Sequence, residues 1–228
     1  MIISHKYKFI FLKTRKTAGT SIEIALSRFC GDKDIITPIS PEDENTRKGL
    51  GYRGPQNCNV PFGRYSVRDW VRLITRRRRR RYYNHISAGI LRELIDREIW
   101  DSYFKFCFER NPWDKALSLY YWRIRNKEPK PFLGEFLKKA DKSHVSNFNI
   151  YAINGTVVAD YVGLYENLVG ELGKIAERLR LPDKLELPQA KGTYRKDRQP
   201  YQQVIRSEEK DIIAKVCSAE IAAFHYSF

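Results

Sequence analysis

Apolar positions in this chain follow two periods, and their order along the sequence predicts the architecture. Phe9, Ile10, Phe11 and Leu12 form a short continuous apolar run of strand type. Ile22, Ala25, Leu26 and Phe29 then recur at helical spacing, with Glu23 off the apolar face and Gly31 as a natural stop. Residues 66–75 read as a helix with Asp69 and Trp70 in its first turns, and Ile90, Leu91, Leu94 and Ile95 mark another. Residues 102–109 have strand composition, alternating Tyr103, Lys105 and Cys107 against Phe104, Phe106 and Phe108. Asn111 as N-cap and Pro112 at N1 open a helix carrying Ala116, Leu117, Tyr120 and Tyr121. Residues 157–164 predict a further strand, followed by a helical stripe through Leu172, Ile175, Ala176 and Leu179 and a last helix over 207–224.

Strands that alternate with helices predict an α/β fold with a mainly parallel central sheet flanked by helices, its ligand crevice at the C-terminal ends of the strands. Residues 32–62 break the pattern with Pro, Gly, Asn and charge, an irregular excursion within an insertion spanning about 32–81. At 228 residues, the expectation is a single domain over 1–228.

Composition narrows the partners. A hydrophobic content of 42% argues against global disorder, while a net charge of +15 calls for an anion: nucleic acid, acidic polysaccharide, nucleotide or membrane surface. Cys30, Cys58, Cys107 and Cys217 are scattered without a Cys-x-x-Cys pair, which reads as reduced thiols rather than a zinc site or disulfide framework. No apolar run approaches ~20 residues, so a soluble, cytoplasmic protein without a transmembrane segment is expected. The sequon at Asn154 is read as chance.

Three places carry chemistry. Arg15, Lys16, Thr17, Ala18, Gly19, Thr20 and Ser21 lie between the first strand and its helix, where small residues expose backbone N–H groups at a helix N-terminus and the cations add charge. This strand, loop and helix start is P-loop-like, yet the Walker A order is absent because the lysine precedes the glycine. Arg110 stands at the mouth of a second strand-turn-helix, with Ser118 two turns beyond Asn111 on about the same face. His85 precedes a mid-chain helix and is the best general-base candidate, since His5 and His225 lie near the termini and His144 in a polar stretch. Arg76, Arg77, Arg78, Arg79, Arg80 and Arg81 cannot bury themselves and read as a solvated face, a docking strip for a polyanion or a nucleic-acid contact.

Together these segments resemble the sulfotransferases that use 3′-phosphoadenosine 5′-phosphosulfate (PAPS), with the nearest likeness to the carbohydrate and bacterial branch related to heparan sulfate 2-O-sulfotransferases. Residues 161–168 and 223–228 are similar to later segments of that family. The resemblance implies in-line sulfuryl transfer to a hydroxyl of a carbohydrate or glycolipid, with no metal. It implies Lys16 on the leaving oxygen, the N–H groups of Gly19, Thr20 and Ser21 around phosphate, Arg110 and Ser118 on the 3′-phosphate at a separate anion site, and His85 as base. Glu23 and Glu109 stand as substitute bases, and Lys191 and Gly192 belong to a basic loop that closes over the nucleotide. The alternatives are a nucleotide kinase or other phosphotransferase, against which the missing Walker order counts, and a non-catalytic binder of polyanion or nucleic acid through residues 76–81. No base-reading module supports nucleic acid.

Overall fold

The computed structural model describes residues 1–188 and 199–228. The chain opens with strands β1 (Ile2–Ser4) and β2 (Phe9–Phe11), followed by α1 (Gly19–Ser27), β3 (Ile35–Ile36), α2 (Pro41–Gly49) and α3 (Val67–Arg76). Next come α4 (Ala88–Leu94), α5 (Arg97–Ser102), β4 (Phe104–Glu109) and the long helix α6 (Pro112–Ile124). Short helices α7 (Leu133–Lys139), α8 (Lys142–Val145) and α9 (Phe148–Tyr151) lead into a small hairpin, β5 (Ala152–Ile153) and β6 (Thr156–Val157). Strand β7 (Tyr161–Leu164), α10 (Leu168–Arg178), α11 (Tyr201–Val204), α12 (Ser207–Val216) and α13 (Ser218–Phe224) complete the order.

The main sheet runs β3-β1-β2-β4-β7. Its centre is parallel, with Phe11 opposite Phe106 across β2 and β4 and Phe106 opposite Tyr161 across β4 and β7. The edge is not: β1 pairs antiparallel with β2, Ile3 opposite Ile10, and β3 pairs antiparallel with β1. Geometry requires this, because the short turn from Ser4 to Phe9 can close a hairpin but cannot carry the crossover that a parallel neighbour needs.

Strand alternation sorts the core onto two faces. Phe9, Phe11, Phe106 and Phe108 face Ile22, Ala25 and Leu26 of α1 and Leu172 and Ile175 of α10. Ile10, Leu12 and Cys107 face the other way, towards Leu91 and Leu94 of α4 and towards Trp100, Ile150 and Tyr151. Each such side chain stabilises the fold by about 1.5–3 kcal/mol, so a one-residue slip of β4 would exchange its phenylalanines for Lys105 and Cys107. A third cluster joins α6, α7 and α12 through Trp113, Leu117, Leu133, Leu137 and Ile213. The four cysteines are free and buried, and among the described residues no helix is long and apolar enough to cross a membrane.

Three segments depart from the sequence reading. The excursion at 32–62 contains α2, which has no apolar stripe and is built from its ends: Ser40 as N-cap, Pro41 at N1, Glu42, Asp43 and Glu44 in the first turn, Arg47 and Lys48 in the last. The strand expected at 157–164 divides, since Asn154 and Gly155, both at positive φ, make the two-residue turn of the β5–β6 hairpin and only Tyr161–Leu164 joins the main sheet. The last helix breaks at Cys217, where φ −106° and ψ 24° leave the helical region.

Candidate functional site

The C-terminal ends of β2 and β4 lie side by side, and Leu12 extends their pairing by donating to the Phe106 carbonyl at 2.9 Å. The chain then turns through residues 13–18 into α1. Lys16 and Ala18 adopt the left-handed conformation, with φ 63° and 57°, which costs on the order of 1–2 kcal/mol per residue. Tertiary bonds hold the turn there. Asn147 Oδ1 accepts from the Arg15 backbone N–H at 2.9 Å, its Nδ2 donates to the Arg15 carbonyl at 3.1 Å, and Arg110 Nη1 donates to the Lys16 carbonyl at 3.1 Å. Gly19 is required by close approach, since a Cβ would stand 3.0 Å from Lys13 Cγ and 3.1 Å from the Thr14 carbonyl oxygen.

The helix that follows has an uncapped N-terminus. Ala18 occupies the N-cap position without a side-chain oxygen, and the first turn holds no acidic residue. Among the described residues its leading amides therefore meet no side-chain acceptor, the arrangement that favours a bound anion.

In front of this helix end is a cavity of about 390 Å³. Arg15, Lys16, Ala18, Gly19, Thr20, Ser21, His85, Arg110 and Ser118 all line it. Thr17 does not: it is fully buried and its hydroxyl is held 2.8 Å from that of Thr14, so it fixes the turn from behind. Lys191 and Gly192 lie outside the described residues. Arg110 is not set apart from the first loop as expected, because its bond to the Lys16 carbonyl makes the two anion-facing segments share a wall. Asp114 Oδ2 accepts from Arg110 Nε at 2.9 Å and Nη2 at 2.6 Å, and the Tyr165 ring packs 4.2 Å beneath the guanidinium. Among the described residues three of the five Arg110 N–H donors have partners, which leaves two for a ligand.

His85 faces the same space from the turn before α4, with φ 59°. Its Nδ1 lies 2.8 Å from the Lys13 carbonyl oxygen. A carbonyl only accepts, so Nδ1 carries the hydrogen and the Nε2 lone pair remains for another proton. Burial, then the charge of Lys13 and, less, that of Arg15 push the imidazole down from 6.5 to about 3, only partly opposed by the bond to the Lys13 carbonyl. The ring is neutral at pH 7.

Two buried ion networks support the loop. Glu23, expected off the apolar face, is fully buried: Lys13 Nζ lies 2.6 Å and the Met1 amino group 3.1 Å from its Oε2, and Arg47 reaches Oε1 at 3.6 Å. Those cations hold its carboxyl below the usual range against the opposing effect of burial. Glu109, at the end of β4, accepts from Lys115 Nζ at 2.9 Å and from the Tyr151 hydroxyl at 2.9 Å, and Lys115 also reaches Glu220 at 3.4 Å. Neither of these expected substitute bases lines the cavity that His85 faces; both are buried and paired with buried cations as structural counter-ions.

Sequence reasoning missed other lining residues. Trp122 follows Ser118 by four residues on α6, a helical spacing that could have drawn it in, and Arg123 adjoins it. Tyr165 directly follows β7, where strand ends collect ligand groups. His144 also lines the cavity, with no local signal beyond its residue type. A second cavity of about 360 Å³ shares Arg15 and His85 with the first and adds Ser87, Lys142, Ser143, Ser146 and Asn149. A larger depression of about 540 Å³ sits at the opposite end of the sheet, where β4 and β7 begin, away from these groups. Among the described residues no three His, Cys, Asp or Glu side chains converge as a metal site requires.

The chain is 34% identical over 106 residues to an uncharacterized protein of Archaeoglobus fulgidus, an overlap of 45% of this chain and 88% of that one. No solved structure matches. The model of the sulfotransferase family matches residues 1–227. With the match running through β2, α1, the turn at His85 and the end of β4, the chain belongs to the sulfotransferase family.

Proposed function

We propose that the protein transfers the sulfuryl group of PAPS to a hydroxyl of a carbohydrate or glycolipid acceptor, in line, with His85 as general base. The observation that carries this reading is the convergence of an uncapped helix N-terminus, Lys16, Arg110 and His85 on one cavity. A donor with phosphate at both ends suits that cavity, since the α1 amides bind one anion and the two Arg110 donors that have no partner among the described residues, with Ser118, bind another. β2, the turn and α1 then act as a P-loop-like cradle.

In the reaction the acceptor oxygen forms a bond to sulfur as the bond from sulfur to the leaving phosphate oxygen breaks. Lys16 and the amides of Gly19, Thr20 and Ser21 stabilise the charge that gathers on the leaving phosphate. His85 Nε2 takes the hydroxyl proton while Nδ1–H stays on the Lys13 carbonyl, which fixes the ring and its tautomer. The low basicity of the unliganded imidazole rises once a polyanion occupies the cavity, because negative charge nearby favours the protonated ring. The neighbouring cavity, reached from the same His85, supplies the acceptor side. Its serines, Asn149, Arg15 and Lys142 suit a polyhydroxylated acceptor with anionic substituents.

Thermal unfolding with adenosine 3′,5′-bisphosphate, ATP with magnesium, or a short oligonucleotide tests the donor assignment. A ligand that binds only the folded state raises its melting temperature. The bisphosphate alone should raise it strongly; an equal response to ATP with magnesium would favour a phosphotransferase instead.

A further inference from the structure

Residues 62–81 take no part in the site described above, yet they hold nine arginines and one aspartate, so they supply eight of the chain's +15 charges. The segment leaves the body of the protein and returns to it at a fixed base, where the Val60 N–H donates to the Arg80 carbonyl at 3.0 Å and the Tyr82 N–H to the Cys58 carbonyl at 2.8 Å. Between those bonds lies α3, with a Ser66–Asp69 capping box at its start and no buried residue along its length. Asp69 also pairs with Arg80, which folds the arginine run back against the helix.

Four of the five apolar residues of α3 are arranged on the wrong side for a core. Val67, Trp70, Val71 and Ile74 stand at i, i+3, i+4 and i+7, one stripe of a helix. They are 80%, 43%, 54% and 77% exposed. On the other side of the helix Asp69 and Leu73 are half-buried, Asp69 by its contacts with Ser66 and Arg80. Trp70 stacks on Phe62 with centroids 5.6 Å apart, widening the apolar surface, and the Arg79 guanidinium sits 4.6 Å over the Phe62 ring. Arg68 and Arg72 flank the stripe, and the run at 76–81 continues beyond it.

We propose that α3 and the arginine segment after it form a docking surface for an anionic lipid bilayer. A free polyanion would engage the arginines but gives Val67, Val71 and Ile74 nothing to contact. An apolar protein groove would cover the stripe but leaves the dense positive charge unmatched. A bilayer with acidic headgroups supplies both, since its phosphates and carboxylates meet the guanidinium groups and its acyl boundary takes up the stripe and the Trp70 ring. The anchored base makes the helix a preformed element, so it binds without first folding.

Flotation of the full chain with vesicles of phosphatidylcholine containing phosphatidylserine, against vesicles of phosphatidylcholine alone, tests this. The protein should rise with the acidic vesicles only. Val71→Asp with Ile74→Asp, and separately Arg77→Ser with Arg78→Ser, should each weaken partitioning by about an order of magnitude or more while melting at the wild-type temperature. Tryptophan emission should shift to the blue on vesicle addition, and Trp70→Phe should abolish that shift while still floating. Absence of wild-type flotation would overturn the proposal. So would vesicle binding that survives Val71→Asp with Ile74→Asp, which marks simple adsorption of any polyanion, or a vesicle-independent dimer that this pair of substitutions dissolves, which marks an interface between copies.

Discussion

Cations are handled in two opposite ways in this molecule. Around the candidate site, Lys13, Lys115 and Arg47 are buried, and each faces a buried glutamate: Glu23 for Lys13 and Arg47, Glu109 for Lys115. At residues 76–81 the arginines stand in solvent, with Arg80 held by Asp69. Buried pairs give little net stability but fix geometry, because either partner left alone in the interior is costly. Exposed charges fix nothing and act as a field, strong at low salt and screened at high salt. The first arrangement builds a rigid floor under an anion loop, and the second builds an adhesive surface.

The largest effect that probes this contrast is removal of one member of a buried pair. Glu109→Ala leaves Lys115 with Glu220 alone and takes acceptors from Tyr151 and Asn147, so it should destabilise the fold by about 3–5 kcal/mol in denaturant unfolding. A loss under about 1 kcal/mol would mean that the floor is not built on that pair. Next comes the chemistry above the floor. His85→Ala should lower the rate of transfer by about 10² to 10⁴ while calorimetric affinity for adenosine 3′,5′-bisphosphate stays unchanged. Arg110→Ala should do the reverse in kind, weakening bisphosphate affinity by about ten- to a hundredfold through loss of charged hydrogen bonds.

A further effect should appear on acidification, building up gradually as pH falls. The folded-state pKa of His85, about 3, lies below its ordinary 6.5. Between those values the unfolded chain binds the extra proton, so the His85 contribution is complete above pH ~6.5 and is lost as pH falls towards 3. The melting temperature of wild type relative to His85→Gln should therefore decline across that window. The acid limb of kcat/KM, which reports the free enzyme, should also lie below the ordinary histidine range. Smallest of all, Arg78→Ser should change stability by no more than about 0.5 kcal/mol, the contrast to Glu109→Ala.

The sequence made β2, α1, β4 and α6 legible because each carries its own signal: an apolar run, a helical stripe, an alternation, an Asn-Pro start. Part of the cavity lining was legible for the same reason, since Lys16, Ala18 to Ser21 and Arg110 sit where those elements meet, whereas Thr17 in the same run is turned into the interior. What could not be read locally were partners brought from far along the chain. Glu23 does lie off the apolar stripe of α1, but the Met1 amino group, Lys13 and Arg47 bury it from three different segments. Helix α2 was hidden because its start and stop residues, rather than apolar spacing, define it. Trp122 and Tyr165 enter the site only once α6 and the end of β7 are placed beside the loop.

The central claim is sulfuryl transfer at the cavity between α1, Arg110 and His85. Incubation of wild type, Lys16→Ala and His85→Ala with radiolabelled PAPS and a panel of glycans, glycolipids and simple alcohols tests it most directly. Wild type should label a hydroxylated acceptor, and both variants should lose that labelling while keeping the wild-type fold by circular dichroism. Labelling by His85→Ala at the wild-type rate, or none by wild type with any acceptor class, would contradict the account.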